Sequence, residues 1–174
     1  MRTYITYGAI SAIAVALLNL ALFFTGYQTE KLATGQYLQW IGFVIIIVVL
    51  VLGMRDVRES KPDKTLSYGQ GVLAALMISV FYGLFTAVYT YIHFSFVNPN
   101  YTQYMLDIAR SQMEAKNMPE AQIDAIIGMQ AKMMTPVVMS IMTVIFAPIM
   151  GTIFGLIIAI FVKRQAPADA IKTA

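Results

Sequence analysis

Hydrophobic positions fall into four long, nearly charge-free blocks separated by three polar stretches. The blocks run from about Tyr4 to Gly26, Leu38 to Met54, Tyr68 to Val97 and Pro136 to Val162. An apolar window of about 18 residues without charge reads as a membrane-spanning helix. The β-branched run Ile45-Ile46-Ile47-Val48-Val49 would suggest a strand in water. In hydrocarbon a lone strand leaves its backbone unpaired, so a helix is expected there too. The third block is long, roughly thirty residues or about 45 Å as a helix. It should tilt or project into the headgroups of a ~30 Å core. The fourth opens on Thr135-Pro136, a cap followed by a proline at the first helical position. Pro148 lies mid-span and should kink it.

Between the third and fourth blocks lies a polar stretch, 98–135. Asn98-Pro99 should end the third helix, because the residue before proline leaves the α region. Tyr101, Tyr104, Met105, Ile108 and Met113 then recur at helical spacing. Pro119 should start a second short helix, with Glu120 and Asp124 near its positive end. Ile123, Ile126, Ile127, Met133 and Met134 would form its apolar face. The expectation is an all-α membrane protein, one transmembrane domain over 1–174, with an external amphipathic helical hairpin between spans three and four.

Composition agrees. Of 174 residues, 59% are apolar and only 12% charged, where a soluble domain is nearer a quarter charged. A water-soluble fold of this size could not bury the excess. The first block is longer than a usual signal-peptide core and no clear cleavage site follows, so it is read as a retained span. The net charge of +3 is too dispersed to suggest nucleic acid. The stretch Arg55–Lys64 alternates in sign and reads as a loop that signals topology. Arg2, Arg55, Arg58, Lys61, Lys64, Lys163, Arg164 and Lys172 would share one side, and Lys31, Arg110, Lys116 and Lys132 the other. That split places both termini in the cytoplasm. Tyr27, Tyr37 and Trp40 suit the opposite interface.

Candidate chemistry is sparse. There are no cysteines, which excludes disulfides, thiolate catalysis and Cys-based metal sites. No Asp, Glu, Lys or Arg lies inside a span, which weakens proton relays and ion-coupled transport. The lone His93, beside Tyr89 and Tyr91, has no second histidine for a metal and no nucleophile to serve as base. It reads best as an interfacial, hydrogen-bonded side chain. No catalytic triad or zinc signature is present, so no enzyme activity and no cofactor are expected. Asp107, Glu114, Glu120 and Asp124 suit a solvated face better than a cation site. The methionines after Met105 suit adaptable packing better than Cu(I) binding.

Tyr82 and Tyr89 are seven apart and share a helix face. Ordinary packing accounts for them; a cavity lined by Tyr82, Tyr89 and His93 is the sharper reading. Gly8, Ala12 and Ala16 in span one, and Gly151, Gly155 and Ala159 in span four, are spaced so that helix backbones can approach closely. Contacts within one chain and between subunits both fit. Asn19 is the one amide within a span and should make an interhelical hydrogen bond, worth about 0.6 kcal/mol on average.

Phe96-Val97-Asn98-Pro99, Asn117-Met118-Pro119-Glu120-Ala121-Gln122-Ile123 and Met133-Met134-Thr135-Pro136 together carry a resemblance. So do the Arg55-Asp56 turn and Tyr68-Gly69-Gln70-Gly71. With four spans around them, these stretches resemble the bacterial membrane proteins of domain-of-unknown-function family 4199 (DUF4199). The resemblance covers nearly the whole chain. It implies an inner-membrane location and no activity, so it transfers no site residue. The leading expectation is therefore a non-enzymatic membrane module. It would bind membrane lipid or a partner membrane protein, or self-associate as a homo-oligomer. A transporter or channel subunit for a small neutral or hydrophobic solute is the alternative.

Overall fold

The computed structural model describes residues 1–38 and 40–164, and among these every element is helical apart from one isolated backbone bridge. The helices are α1 (Arg2–Phe24), α2 (Leu32–Leu38), α3 (Trp40–Glu59), α4 (Tyr68–Ile92), α5 (Tyr101–Glu114), α6 (Glu120–Met133) and α7 (Pro136–Val162). A π-helical turn, His93–Val97, extends α4. Four helices are long and apolar enough to cross a membrane: α1, α2 with α3, α4 with its π-turn, and α7. Lys172, counted in the charge balance above, lies outside the described residues.

The ends of the helices follow from local chemistry. Ser67 caps α4: its hydroxyl accepts from Gln70 N, while Gln70 Oε1 accepts from Ser67 N at 3.1 Å. This reciprocal pair satisfies two otherwise orphaned amides. Thr135 caps α7 and Pro136 follows it, as the Thr-Pro pair predicts. α7 continues through Pro148 to Val162. The α3 boundary differs from expectation. Hydropathy ends span two at Met54 and the alternating charges that follow predict a loop, whereas α3 continues to Glu59. The charged residues extend the helix past its apolar part because long Arg side chains reach polar groups beyond the hydrocarbon. Arg58 Nη1 donates to Val162 O at the end of α7, at 3.1 Å.

α4 is the hub. Within its most apolar window 39% of residues are buried, against 22% in α7, so most of α7 faces outward. Gly71, Ala74, Ala75, Ser79 and Gly83 keep the buried side of α4 thin. α7 lies along it: a Cβ on Gly155 would come within 2.5 Å of Ala75 Cβ, and one on Gly83 within 3.0 Å of Ala147 Cβ. α1 packs on a neighbouring side of α4, where a Cβ on Gly8 would meet Phe81 Cβ at 2.6 Å and Tyr82 N at 2.9 Å. α3 closes against both, with Gly53 facing Tyr7 of α1 and Ile78 of α4.

The aliphatic core gathers at one end, around Leu50, Met54, Leu66, Ile78, Ile158 and Ala159. There the α3–α4 loop is clamped to the end of α7: Leu66 N donates to Arg164 O at 2.8 Å and Arg164 N to Leu66 O at 2.9 Å. Large apolar side chains outside the core stay uncovered, among them Phe161 (81% exposed) and Phe24 (79%). Such surface is compatible with lipid and not with water.

α5 and α6 lie side by side, joined by the turn 115–119. Their buried residues are Tyr101, Leu106 and Ile123, and the Tyr101 ring lies against Phe94 of the π-turn, 4.5 Å between ring centres. Leu106 was absent from the apolar set read from the sequence, while Met133, which was in it, is 53% exposed. Arg110 pairs with Asp124 across the two helices at 2.6 Å. That carboxylate holds the Arg110 guanidinium above its usual pKa.

Candidate functional site: a groove within the bundle and a buried polar relay

Beside the aliphatic core, toward the His93 end, the bundle is not filled. A cavity of about 330 Å³ lies between α1, α3, α4 and α7. Its polar groups are Asn19, Ser79, Tyr82 and Thr143, all uncharged. Phe43, Phe146 and Met150 also line it, and each remains at least partly exposed on the outer surface. A second cavity adjoins it and shares Asn19, Thr143 and Phe146. It extends the groove toward Thr90, Phe94 and Tyr101, where α5 begins. The volumes fall in the lower range of ligand pockets. Among the described residues no Asp, Glu, Lys, Arg or His lines either cavity.

Next to the groove lies a hydrogen-bonded cluster whose centre is sealed from solvent. His93 is 0% exposed, Gln28 1% and Asn98 2%. Val15 O, a backbone carbonyl that can only accept, fixes the direction of the whole chain. Asn19 Nδ2 donates to it at 2.9 Å, which leaves Asn19 Oδ1 to accept from Gln28 Nε2 at 2.7 Å. Gln28 Oε1 then faces His93 Nε2 at 2.9 Å, so His93 carries its proton on Nε2. Nδ1 is left to pair with the Tyr89 hydroxyl at 3.0 Å, which also lies 3.2 Å from Ala16 O. Gln28 O accepts from Asn98 Nδ2 at 3.1 Å, tying the relay to the residue that ends the π-turn. Phe23 and Phe94 enclose the imidazole edge-on, at 6.0 and 4.9 Å between ring centres.

The sequence-predicted residues divide accordingly. Tyr82 lines the groove. Tyr89 and His93 do not; they belong to the relay, because the Tyr89 hydroxyl turns toward α1 and the imidazole toward Gln28. His93 is also buried rather than interfacial, since the 25–31 loop folds back over it. Tyr91 lies apart and is 44% exposed. Both small-residue faces are used inside the chain. Gly8 and Ala16 meet α4 from α1, while Gly151, Gly155 and Ala159 meet it from α7. Ala12, between Gly8 and Ala16 on α1, is buried as well. Asn19 bonds to its own helix and to Gln28 rather than to another span.

Gln28 was missed. It lies just beyond the first apolar block, and nothing local distinguishes it from a loop glutamine. Thr86 was also missed: its Oγ1 is buried without a hydrogen bond of ordinary geometry among the described residues. Among the described residues no group of three or more His, Asp or Glu side chains is placed to hold a metal.

Comparison with curated proteins and with solved structures finds no match. Residues 6–164, nearly the whole chain, match the family described as "Protein of unknown function (DUF4199)". With its four helices fit to cross a membrane, this chain is a multi-pass membrane protein that belongs to the DUF4199 family.

Proposed function

We propose that this protein is a non-enzymatic, lipid-binding module of the bacterial inner membrane, with both termini in the cytoplasm and the α5–α6 hairpin outside. The observation that carries the reading is the uncharged groove between α1, α3, α4 and α7. A space of this kind in a bilayer is reached by what the bilayer supplies, and an acyl chain is the apolar ligand at highest local concentration. Lipid is favoured over self-association because both small-residue faces that could pair with another subunit already pack on α4. The charge split between loops supports the orientation.

The test is lipid retention. The protein purified in mild detergent should carry bound lipid in native mass spectrometry. Leu18→Trp and Met150→Trp, which put a large ring into the groove from opposite walls, should each remove most of it. Unchanged lipid content in both folded variants would defeat the proposal. One observation favours a second reading, passage of a small neutral solute: the two cavities adjoin and continue toward one end of the bundle. Liposome flux that Leu18→Trp blocks would support it.

A further inference from the structure

The groove carries a fixed pair of hydrogen-bonding groups where its two parts join. Asn19 and Thr143 are the polar side chains lining both cavities. The Asn19 amide cannot turn over, because Val15 O holds its Nδ2 and Gln28 Nε2 holds its Oδ1. One N–H of Nδ2 therefore remains available as a donor. Thr143 Oγ1 uses its hydrogen on Met139 O at 2.9 Å, so only its lone pairs remain, as an acceptor. The junction thus offers one donor and one acceptor in surroundings without charge.

We infer that the groove selects an alcohol-headed amphiphile, whose hydroxyl accepts from Asn19 and donates to Thr143 while its alkyl chain occupies the apolar part. This rests on the lipid-binding reading above and narrows it. A hydroxyl is the smallest neutral group that uses both partners. An ester or ketone oxygen can use Asn19 alone, and an alkane uses neither. A carboxylate or an ammonium would enter without a counter-charge, since among the described residues no Asp, Glu, Lys, Arg or His lines either cavity. The relay then acts in positioning. Gln28 and the Val15 carbonyl keep the Asn19 N–H aimed, and an unheld amide would offer either end.

The experiment uses the full-length protein in nanodiscs of phosphatidylcholine, with hexadecanol, methyl hexadecanoate and hexadecane as probes and retention read by native mass spectrometry. Two modest hydrogen bonds should favour hexadecanol over hexadecane by about ten-fold or more. Thr143→Val, close in shape, should reduce that preference several-fold and leave hexadecane retention unchanged. Asn19→Leu should remove the rest if it folds. Gln28→Met should weaken the preference without touching the ligand, and methyl hexadecanoate should lose no retention in Thr143→Val. Equal retention of hexadecanol and hexadecane, displaced by Leu18→Trp, would overturn the inference and leave the lipid groove standing. Retention of no probe and no lipid would overturn both.

Discussion

The two ends of the bundle are built on opposite terms. At the end bearing Leu66 and Arg164, aliphatic side chains fill the interior and small residues bring α7 onto α4. At the end bearing His93, the interior holds amides, an imidazole and a groove. Hydrocarbon solvates a leucine as well as a protein core does, so burial alone does not hold membrane helices together. Close packing does, and it belongs to the first end. Hydrogen bonds in the second fix orientation at modest gain and tolerate open space beside them. Close packing is thus concentrated at one end, and open space at the other.

The largest effect should come from overfilling the packed end. A Cβ on Gly155 would come within 2.5 Å of Ala75 Cβ in the aliphatic core, and Cβ is not free to rotate away. Gly155→Ala should therefore destabilise by about 3 kcal/mol in denaturant titration of the protein in micelles, at the upper end of overpacking costs. Ala75→Gly in the same chain should return part of that loss. Gly69→Ala, on α4 with nothing within 4 Å of the added atom, serves as the control. It should be neutral or stabilise by about 0.5 kcal/mol. Equal effects at Gly155 and Gly69 would remove the basis for calling this end close-packed.

A smaller loss is expected at the polar end. Gln28→Met leaves the His93 Nε2–H and Asn19 Oδ1 without partners, at about 1–2 kcal/mol. Adding His93→Phe removes one of those orphaned groups and should recover about half. If the double variant is less stable than the sum of the two singles, the relay does more than satisfy itself.

Much of this was legible in the sequence, for identifiable reasons. The four spans were readable because hydropathy needs no knowledge of tertiary contacts. The Thr135-Pro136 start was readable because its cap is local. Ser67 and Gln70 stand at capping-box spacing and could have been found in the same way. The two small-residue faces were visible, but their partner was not, because spacing says a helix can be approached and not by which neighbour. The relay was closed to sequence reasoning. Gln28 and His93 are 65 positions apart, and their contact exists only once the 25–31 loop folds over α4. Tyr82 and Tyr89 share a face as their spacing requires, yet one lines the groove and the other reaches Ala16 O on α1, a difference that spacing alone does not carry. The π-turn at His93–Val97 left no local signature at all.

The smallest effect separates the two ends by pH. The relay contains no carboxylate, whereas the loop at the packed end holds Asp63. Thr65 Oγ1 donates to its Oδ2 at 2.5 Å and Thr65 N to its Oδ1 at 3.3 Å. These bonds to the charged form hold the Asp63 carboxyl below its usual pKa, with Lys61 adding to the effect. A carboxyl depressed in the folded state contributes stability above its unfolded pKa and loses it as pH falls through the folded value. Thr65→Val should therefore raise the Asp63 pKa toward the ordinary carboxylate range, as followed by carbon NMR of the side chain. Asp63 is fully exposed, so the unfolding midpoint at neutral pH should barely move. An Asp63 titration unchanged by Thr65→Val would mean that the loop does not hold this turn in the membrane-bound protein. The clamp between Leu66 and Arg164 would then have to order the loop alone.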